Sequence, residues 1–146
     1  MGALSPRLAE IVDVLPLRPG LRVIEIGCGP GPAARAVAER VGPTGHVLAV
    51  DRSARAIAQV ERTSADLIAS GRLTARCCAV EELELEPGEA AYDLAFAVRV
   101  GALDGRHPAS AAVALERIAA ALTPVGRLYI DGGTPLRALP LPRPRQ

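Results

Sequence analysis

The fold is decided by the stretch Val-Ile-Glu-Ile-Gly-Cys-Gly-Pro-Gly at residues 23–31. Its apolar half belongs to a compact run over residues 21–26, which predicts a buried β-strand. Three glycines follow that strand and precede a helical segment at residues 33–41, which ends at Gly42-Pro43. Backbone N–H groups and a helix N-terminus can approach a ligand closely where side chains are absent. The unit therefore predicts a binding site, although the glycines could also form a tight turn without a ligand.

The same strand–helix unit recurs along the chain. Residues 46–50 predict a second strand that ends at Asp51, and Ser53 is a natural N-cap for a helix that ends at Gly71. The remaining predicted elements are a weaker edge strand, an apolar strand, a helix and a fifth strand, at residues 73–78, 92–98, 108–122 and 127–130. Such alternation predicts a Rossmann-like α/β fold, in which a doubly wound, mainly parallel sheet of about five strands has the order 3-2-1-4-5.

The two ends of the chain differ from this central domain, which we assign to residues 17–131. Apolar residues recur with helical spacing between Leu4 and Leu15, so residues 1–16 predict an N-terminal helix. Residues 132–146 form a Pro-rich tail, which we expect to be extended or disordered because its prolines prevent regular structure.

Composition excludes several classes of protein. The chain has 146 residues, 49% of them hydrophobic, which is enough apolar material for one globular core. It contains no lysine, so a Walker phosphate loop and a pyridoxal Schiff base are both impossible. The net charge of +1 lacks the strong positive balance of a dedicated nucleic-acid binder. We therefore expect no nucleic-acid partner.

Cysteine usage and hydropathy point to an intracellular protein without a metal. Cys28, Cys77 and Cys78 have no CxxC spacing, and the histidines do not complete a zinc site. Apolar runs of 18 residues are absent from the sequence, so we predict no membrane span. The expected location is the cytoplasm.

The predicted sheet places the candidate site at one edge. Ligands of doubly wound sheets lie outside the carboxyl ends of the strands, where the order reverses between the first and fourth strands. This position brings together the glycine turn, Asp51 and Arg99. Asp51 ends the second strand, where a carboxylate can accept hydrogen bonds from both ribose hydroxyls. It could instead serve only as a helix-capping or solvated carboxylate.

These motifs resemble class I S-adenosylmethionine-dependent methyltransferases. Residues 23–31 look like the family's first motif, and residues 17–20 and 122–128 resemble the segments before its first and fifth strands. The resemblance covers residues 17–131. It implies S-adenosylmethionine as cofactor and methyl transfer to a small-molecule acceptor, on a sheet that is C-terminally truncated relative to the family's usual seven strands.

The resemblance also implies roles for individual residues. Glu25 would support the methionine amino group, and Asp51 would hold the ribose hydroxyls. Ala79 stands where many members carry an acidic residue for the adenine amino group, and Glu81 is the candidate replacement. The complete cofactor-binding set is Glu25, Gly27, Cys28, Gly29, Gly31, Asp51, Arg52, Ala79, Val80 and Glu81.

Two residues after the fourth strand are candidates for catalysis. Methyl transfer from a sulfonium depends mostly on positioning, and a base adds rate when the acceptor must lose a proton. His107 is the candidate base, although it could be a solvated loop residue. Arg99, with Arg106 in the same loop, is placed to meet a carboxylate or phosphate on the acceptor. Alternatively, Arg99 pairs with a local carboxylate such as Asp104.

Two other functions stay open at the level of sequence. Arg52 beside Asp51 is compatible with a nucleotide-binding oxidoreductase that recognises a 2′-phosphate, but Pro32 stands where a dinucleotide turn needs its third small residue. The second open function is that of a non-catalytic adenosylmethionine-binding domain that acts with a partner.

The apolar fifth strand, residues 128–130, would leave an uncovered sheet edge, so we also predict a homodimer.

Overall fold

The computed structural model describes residues 4–142, so residues 1–3 of the predicted N-terminal helix and residues 143–146 of the predicted tail lie outside the described part of the chain. The first helix, α1, spans Pro6–Val14. Ser5 is its N-cap, and the Ser5 Oγ accepts a hydrogen bond of 3.2 Å from the backbone N–H of Leu8. Val12 and Leu15 belong to the same hydrophobic core as the first strands of the sheet. The helix predicted before the main domain is therefore packed onto it.

The centre of the molecule is a six-stranded sheet in the order β3-β2-β1-β4-β5-β6. Its strands span Arg22–Ile26 (β1), His46–Asp51 (β2), Leu73–Cys77 (β3), Tyr92–Ala97 (β4), Leu122–Asp131 (β5) and Leu136–Leu139 (β6). Strands β1 to β5 are parallel, and β6 runs antiparallel to β5. This arrangement confirms the predicted doubly wound sheet and the order of its five parallel strands.

Helices cover both faces of this sheet. Those that follow α1 within the described residues are Pro32–Val41 (α2), Ala54–Thr63 (α3), Ala65–Ala69 (α4) and Pro108–Ala121 (α5). Successive strand residues point to opposite faces. In β1, Val23 packs in the cluster that contains α2 and α3, and Ile24 packs in the cluster that contains α5. Burial on both faces explains why the strands are almost continuously apolar.

None of the helices described within residues 4–142 has both the length and the hydropathy that a membrane span requires.

The segment predicted as one helix from Ser53 to Gly71 is divided at Ser64, which ends α3 and begins α4. Ser64 is fully buried, and its backbone N–H donates to the Val60 carbonyl. Both pieces keep the predicted apolar face, since Ile57, Val60 and Leu67 are buried.

The prediction that the tail lacks regular structure is wrong for residues 136–139. These residues form β6 and pair with β5 from Leu128↔Leu139 to Asp131↔Leu136. The flanking prolines do not prevent this pairing, because Pro135 precedes the strand and Pro140 follows it. Strand β5 is therefore not a sheet edge, and the premise of the dimer prediction needs correction.

Candidate active site

A cavity of about 830 Å³ opens at the carboxyl ends of β1, β2 and β4. Its size is in the range of small-molecule binding pockets. The predicted site residues that line it are Gly27, Asp51, Arg52, Ala79, Val80, Glu81, Arg99 and His107. These residues come from the loops after four different strands, so the fold brings together side chains that are far apart in sequence.

The glycine turn after β1 has a left-handed backbone at Gly27, Gly29 and Gly31, with φ of 71°, 55° and 95°. A Cβ on Gly27 would lie 2.8 Å from Val100 Cγ2, and one on Gly31 would lie 3.0 Å from Val60 Cγ2. Gly29 faces open space, with nothing within 4 Å of its Cβ position. Gly31 is thus explained by packing against α3, whereas Gly27 borders the cavity.

Cys28, inside the same turn, does not line the cavity. Its side chain is buried, and its thiol lies 3.3 Å from the Gly29 carbonyl as a donor. Burial raises the pKa of the thiol, with a further contribution from the negative charge of Glu25. Cys28 therefore stays protonated, and its buried thiol stabilises the turn by donating to the Gly29 carbonyl.

Asp51 joins the glycine turn to the start of α3. Its Oδ2 accepts a hydrogen bond of 2.9 Å from the Gly29 N–H, and its Oδ1 accepts one of 2.9 Å from the Ser53 N–H. A carboxylate has about four acceptor positions, so each oxygen can still accept a hydrogen bond from a hydroxyl group. Asp51 also lines the cavity. The helix-side role and the ligand-facing role are compatible with each other.

Glu25 is a buried acid directly before the turn. It is 3% exposed, and its Oε1 has no hydrogen-bond partner among residues 4–142. Burial raises the pKa of this carboxyl well above its ordinary range, a backbone hydrogen bond at Ala34 lowers it, and the charge of Asp51 raises it again. An unpaired acceptor this deep is costly, and a cationic donor would satisfy it.

The wall beside β3 is formed by Cys78 and the short 3₁₀ turn Val80–Glu82. The Cys78 N–H donates to the Asp51 carbonyl over 3.0 Å, which fixes this wall to the end of β2. Val80 is 7% exposed and supplies an apolar surface. Ala79, which stands where many family members carry an acidic residue, lines the cavity but has no carboxylate. Glu81 is the acidic side chain that this wall offers to the adenine amino group. Sequence reasoning did not single out Cys78.

The loop after β4 begins with an unusual residue. Arg99 has φ of 58°, a left-handed conformation that costs a residue other than glycine about 1–2 kcal/mol. Its N–H donates to Asp131 Oδ1 over 3.1 Å, and its carbonyl accepts from Arg106 Nη2 over 2.7 Å. The alternative that Arg99 pairs with Asp104 is wrong, because Asp104 pairs with Arg106, whose Nε is 2.8 Å from Asp104 Oδ2.

His107 ends the same loop and is exposed at the start of α5. Its ring packs over Gly101, where an added Cβ would lie only 2.2 Å from His107 Cδ2. Asp131 and Gly101 were both missed at the level of sequence. Asp131 ends β5 as Asp51 ends β2, so the same rule about strand ends could have identified it.

Within residues 4–142, no group of three or more potential ligands is arranged to hold a metal ion. The lining of the cavity comprises two carboxylates, three arginines, a histidine, a cysteine, a serine, glycines and apolar residues.

A doubly wound sheet with a glycine turn after β1 and an acid after β2 defines the class of Rossmann-like domains that bind adenosine cofactors at this edge. Residues 23–126 match the family model described as a methyltransferase domain. The chain belongs to the class I S-adenosylmethionine-dependent methyltransferase family, whose cofactor is S-adenosylmethionine.

One curated relative and two solved structures illustrate what the chain is similar to. The chain is 31% identical to nocamycin O-methyltransferase of Saccharothrix syringae, over 89% of this chain and 44% of that protein. Among solved structures it is similar to an O-methyltransferase from Thermotoga maritima, with a TM-score of 0.66 and 21% identity over 89% of this chain and 45% of that one. The cyclase SpnF is similar as well, with a TM-score of 0.67 and 25% identity over 85% of this chain and 43% of that one. The chain spans less than half the length of the curated relatives it matches.

Proposed function

We propose that this chain binds S-adenosylmethionine in the cavity at the carboxyl ends of β1, β2 and β4, and that it transfers the methyl group to a small-molecule acceptor. The observation that carries the proposal is the convergence of Gly27, Asp51 and the 79–81 segment on one cavity of about 830 Å³. We assign the cofactor domain to residues 17–131, which include the whole match to the methyltransferase family.

The residues present fit this cofactor. The buried, unpaired Oε1 of Glu25 suits a ligand that brings an ammonium group. Because Glu25 does not line the cavity, its contact with that group would pass through the glycine turn or a water molecule. Asp51 and the neighbouring Arg52 would hold the ribose end. Gly29 does not line the cavity, but nothing lies within 4 Å of its Cβ position, so the turn is open at this residue. Ala79, Val80 and Glu81 would form the adenine wall.

When bound, S-adenosylmethionine supplies a methyl group that its sulfonium has already activated. The work left to the protein is to orient the acceptor beside that group and to exclude competing water. His107 lines the cavity and is the proposed base, which would take the acceptor's proton at a ring nitrogen. Such a base adds about 10²–10⁴-fold in rate when the acceptor group is weakly acidic.

The acceptor class and the assembly state are further parts of the proposal. A small-molecule acceptor is supported by the similarity to nocamycin O-methyltransferase, an enzyme named for a small molecule. We propose a cytoplasmic protein with no nucleic-acid partner. We also propose a homodimer, whose contact would involve the outer edge of β6 or α1, since β5 is covered.

A second candidate function is a cofactor-binding domain without methyl transfer. The similarity to SpnF, which is described as a cyclase, favours this candidate because that relative has the same fold and a different named activity.

A transfer assay separates the two candidates. The purified chain is incubated with S-adenosylmethionine labelled in the methyl group and a broad panel of hydroxyl, amine and carboxyl compounds. We expect labelled product from at least one acceptor, and a large loss of rate in His107→Gln if the accepting group of that compound starts protonated. Cofactor binding without transfer to any acceptor would support the candidate without methyl transfer.

A further inference from the structure

Three arginines line the cavity, and they differ in what their guanidinium groups do. Arg106 is engaged twice, by Asp104 and by the carbonyl of Arg99. Arg99 is exposed, and none of the ion pairs found among residues 4–142 includes it. Arg52 is likewise unpaired there, but it follows Asp51 on the ribose side of the cavity. Arg99 is therefore the uncommitted cation on the β4 side.

The bend at Arg99 is held by its backbone and not by its side chain. Its N–H donates to Asp131 Oδ1, and its carbonyl accepts from Arg106. Asp131 is fixed in turn by Arg7 of α1, with 3.3 Å between Arg7 Nη2 and Asp131 Oδ2. Any residue other than proline could make these backbone bonds, and glycine would adopt φ of 58° with less strain. The loop thus gives no structural reason for a guanidinium at this position.

The charges around the cavity favour an anionic ligand at Arg99. Because Arg106 is paired with Asp104, the unpaired charges of the lining are the cations Arg52 and Arg99 and the carboxylates Asp51 and Glu81, and neither carboxylate follows β4 as Arg99 does. Asp51 already accepts two backbone hydrogen bonds, and Glu81 lies on the wall after β3. A guanidinium presents five N–H donors in a planar fork, which matches the paired oxygens of a carboxylate or phosphate.

We infer that Arg99 is a specificity-determining residue that binds an oxyanion, a carboxylate or phosphate, on the methyl acceptor. The inference rests on the proposed function, because it places the acceptor opposite the cofactor in the same cavity. Asp131 and Arg106 are positioning residues, which hold the backbone of Arg99 at the cavity that this residue lines. An acceptor without an anionic group would leave the N–H donors of the Arg99 guanidinium without a ligand.

The test uses the full chain saturated with adenosylhomocysteine. Benzoate, phenyl phosphate and benzamide are titrated separately, and binding is followed through the arginine Nε–Hε signals in ¹H–¹⁵N spectra. These probes share an aromatic ring and differ in charge, and the two anions separate carboxylate from phosphate recognition. We expect one or both anions to bind at least tenfold more tightly than benzamide and to shift the signal that disappears in Arg99→Gln.

Four variants isolate the cause. Arg99→Gln should abolish the preference for anions, and Arg99→Lys should retain part of it, because lysine keeps the charge and loses the fork. Arg117→Gln is the matched control: it removes the same charge from an exposed position on α5 outside the cavity, so the preference should persist. Arg52→Gln should change cofactor binding and leave the preference for anions intact.

Several results would overturn the inference. They are equal binding of benzamide and the anions, no binding of either anion, or a preference that survives in Arg99→Gln. A tenfold loss of adenosylhomocysteine affinity in Arg99→Gln would also overturn it, because Arg99 would then hold the cofactor. If the parent chain binds no adenosylhomocysteine, the proposed function itself fails; if it binds the cofactor product and shows no preference for anions, only this inference fails.

Discussion

Asp51 combines a structural and a binding role in one carboxylate. Asp51→Ala removes the acceptors for the Gly29 and Ser53 N–H groups as well as the proposed ribose contact. We expect S-adenosylmethionine binding to weaken by about 1–3 kcal/mol in calorimetric titration. Asp66→Ala is the control, since Asp66 is an exposed acid paired with Arg35 on the surface.

Gly29→Val should weaken cofactor binding more than Asp51→Ala does. A β-branched residue is strained at φ of 55°, and its side chain would fill the open space in front of the turn. Thermal unfolding of both variants checks that they remain folded. If both are folded and bind the cofactor as the parent does, the assigned cofactor position is wrong.

Glu25 makes the stability of the ligand-free chain depend on pH. Burial raises its pKa above the ordinary value of 4.5, so the folded chain holds this proton at pH values where the unfolded chain has released it. Its contribution to the free energy of unfolding therefore falls as pH rises from about 4.5 through the folded pKa, by up to about 1.4 kcal/mol per pH unit.

The variant Glu25→Gln isolates this effect because glutamine does not titrate. We expect urea unfolding to show that the variant gains stability relative to the parent between pH 5 and pH 7, although it binds S-adenosylmethionine more weakly. A stability difference that stays constant across this range would contradict the assignment of Glu25 as a buried acid that awaits a cationic partner.

At the scale of elements, the segment between β3 and β4 is anchored by a polar network at its far end. Glu89 Oε2 accepts a hydrogen bond of 2.7 Å from the hydroxyl of Tyr92, which is 1% exposed, and Glu89 Oε1 lies 3.1 Å from Arg76 Nη1. Burial raises the pKa of Glu89, but the hydrogen bond from the Glu86 N–H and the contacts with Tyr92 and Arg76 together hold this pKa below its ordinary value. These contacts hold the segment whose other end forms the wall of the cavity.

Glu89→Ala should therefore lower the free energy of unfolding by about 1–3 kcal/mol, because a buried hydroxyl loses its acceptor. Glu86→Ala is the matched control. Its side chain is 72% exposed and lies 3.9 Å from Arg76, so its removal should cost less than about 0.5 kcal/mol. Equal losses in urea unfolding would show that the network does not hold the segment.

The parallel elements of this fold were accessible to sequence reasoning, and the last strand was not. Strands buried on both faces carry an unmistakable apolar signal, and a glycine turn followed by Asp51 marks the site. Strand β6 has the sequence Leu-Arg-Ala-Leu between prolines, with no β-branched residue and no alternation strong enough to predict a strand. Its pairing depends on β5, a tertiary contact that no local pattern contains.

The candidate site likewise has residues that the sequence predicts and contacts that it does not. Residues at strand ends, such as Asp51 and Arg99, were predicted because topology alone brings them together. The pairing of Arg106 with Asp104, and the support of Arg99 by Asp131, depend on side-chain geometry within one loop and across two strands. Sequence spacing does not determine which of two nearby arginines takes a carboxylate.

For the whole molecule, we predict a homodimer. Strand β6 covers β5 and leaves its own outer edge, Leu136–Leu139, as the end of the sheet, while Val14 of α1 is 52% exposed. Light scattering at micromolar concentration should give twice the chain mass of 15.1 kDa. A mass of one chain that does not change on concentration would exclude the dimer and indicate that β6 is sufficient to protect the sheet.

Calorimetric titration of the purified chain shows which cofactor the cavity takes. S-adenosylmethionine, adenosylhomocysteine, NAD and NADP are each titrated under the same conditions. We predict saturable one-site binding of S-adenosylmethionine and adenosylhomocysteine, with no comparable binding of the dinucleotides. Binding of NAD or NADP without binding of either sulfur compound would contradict the account and favour a nucleotide-binding oxidoreductase.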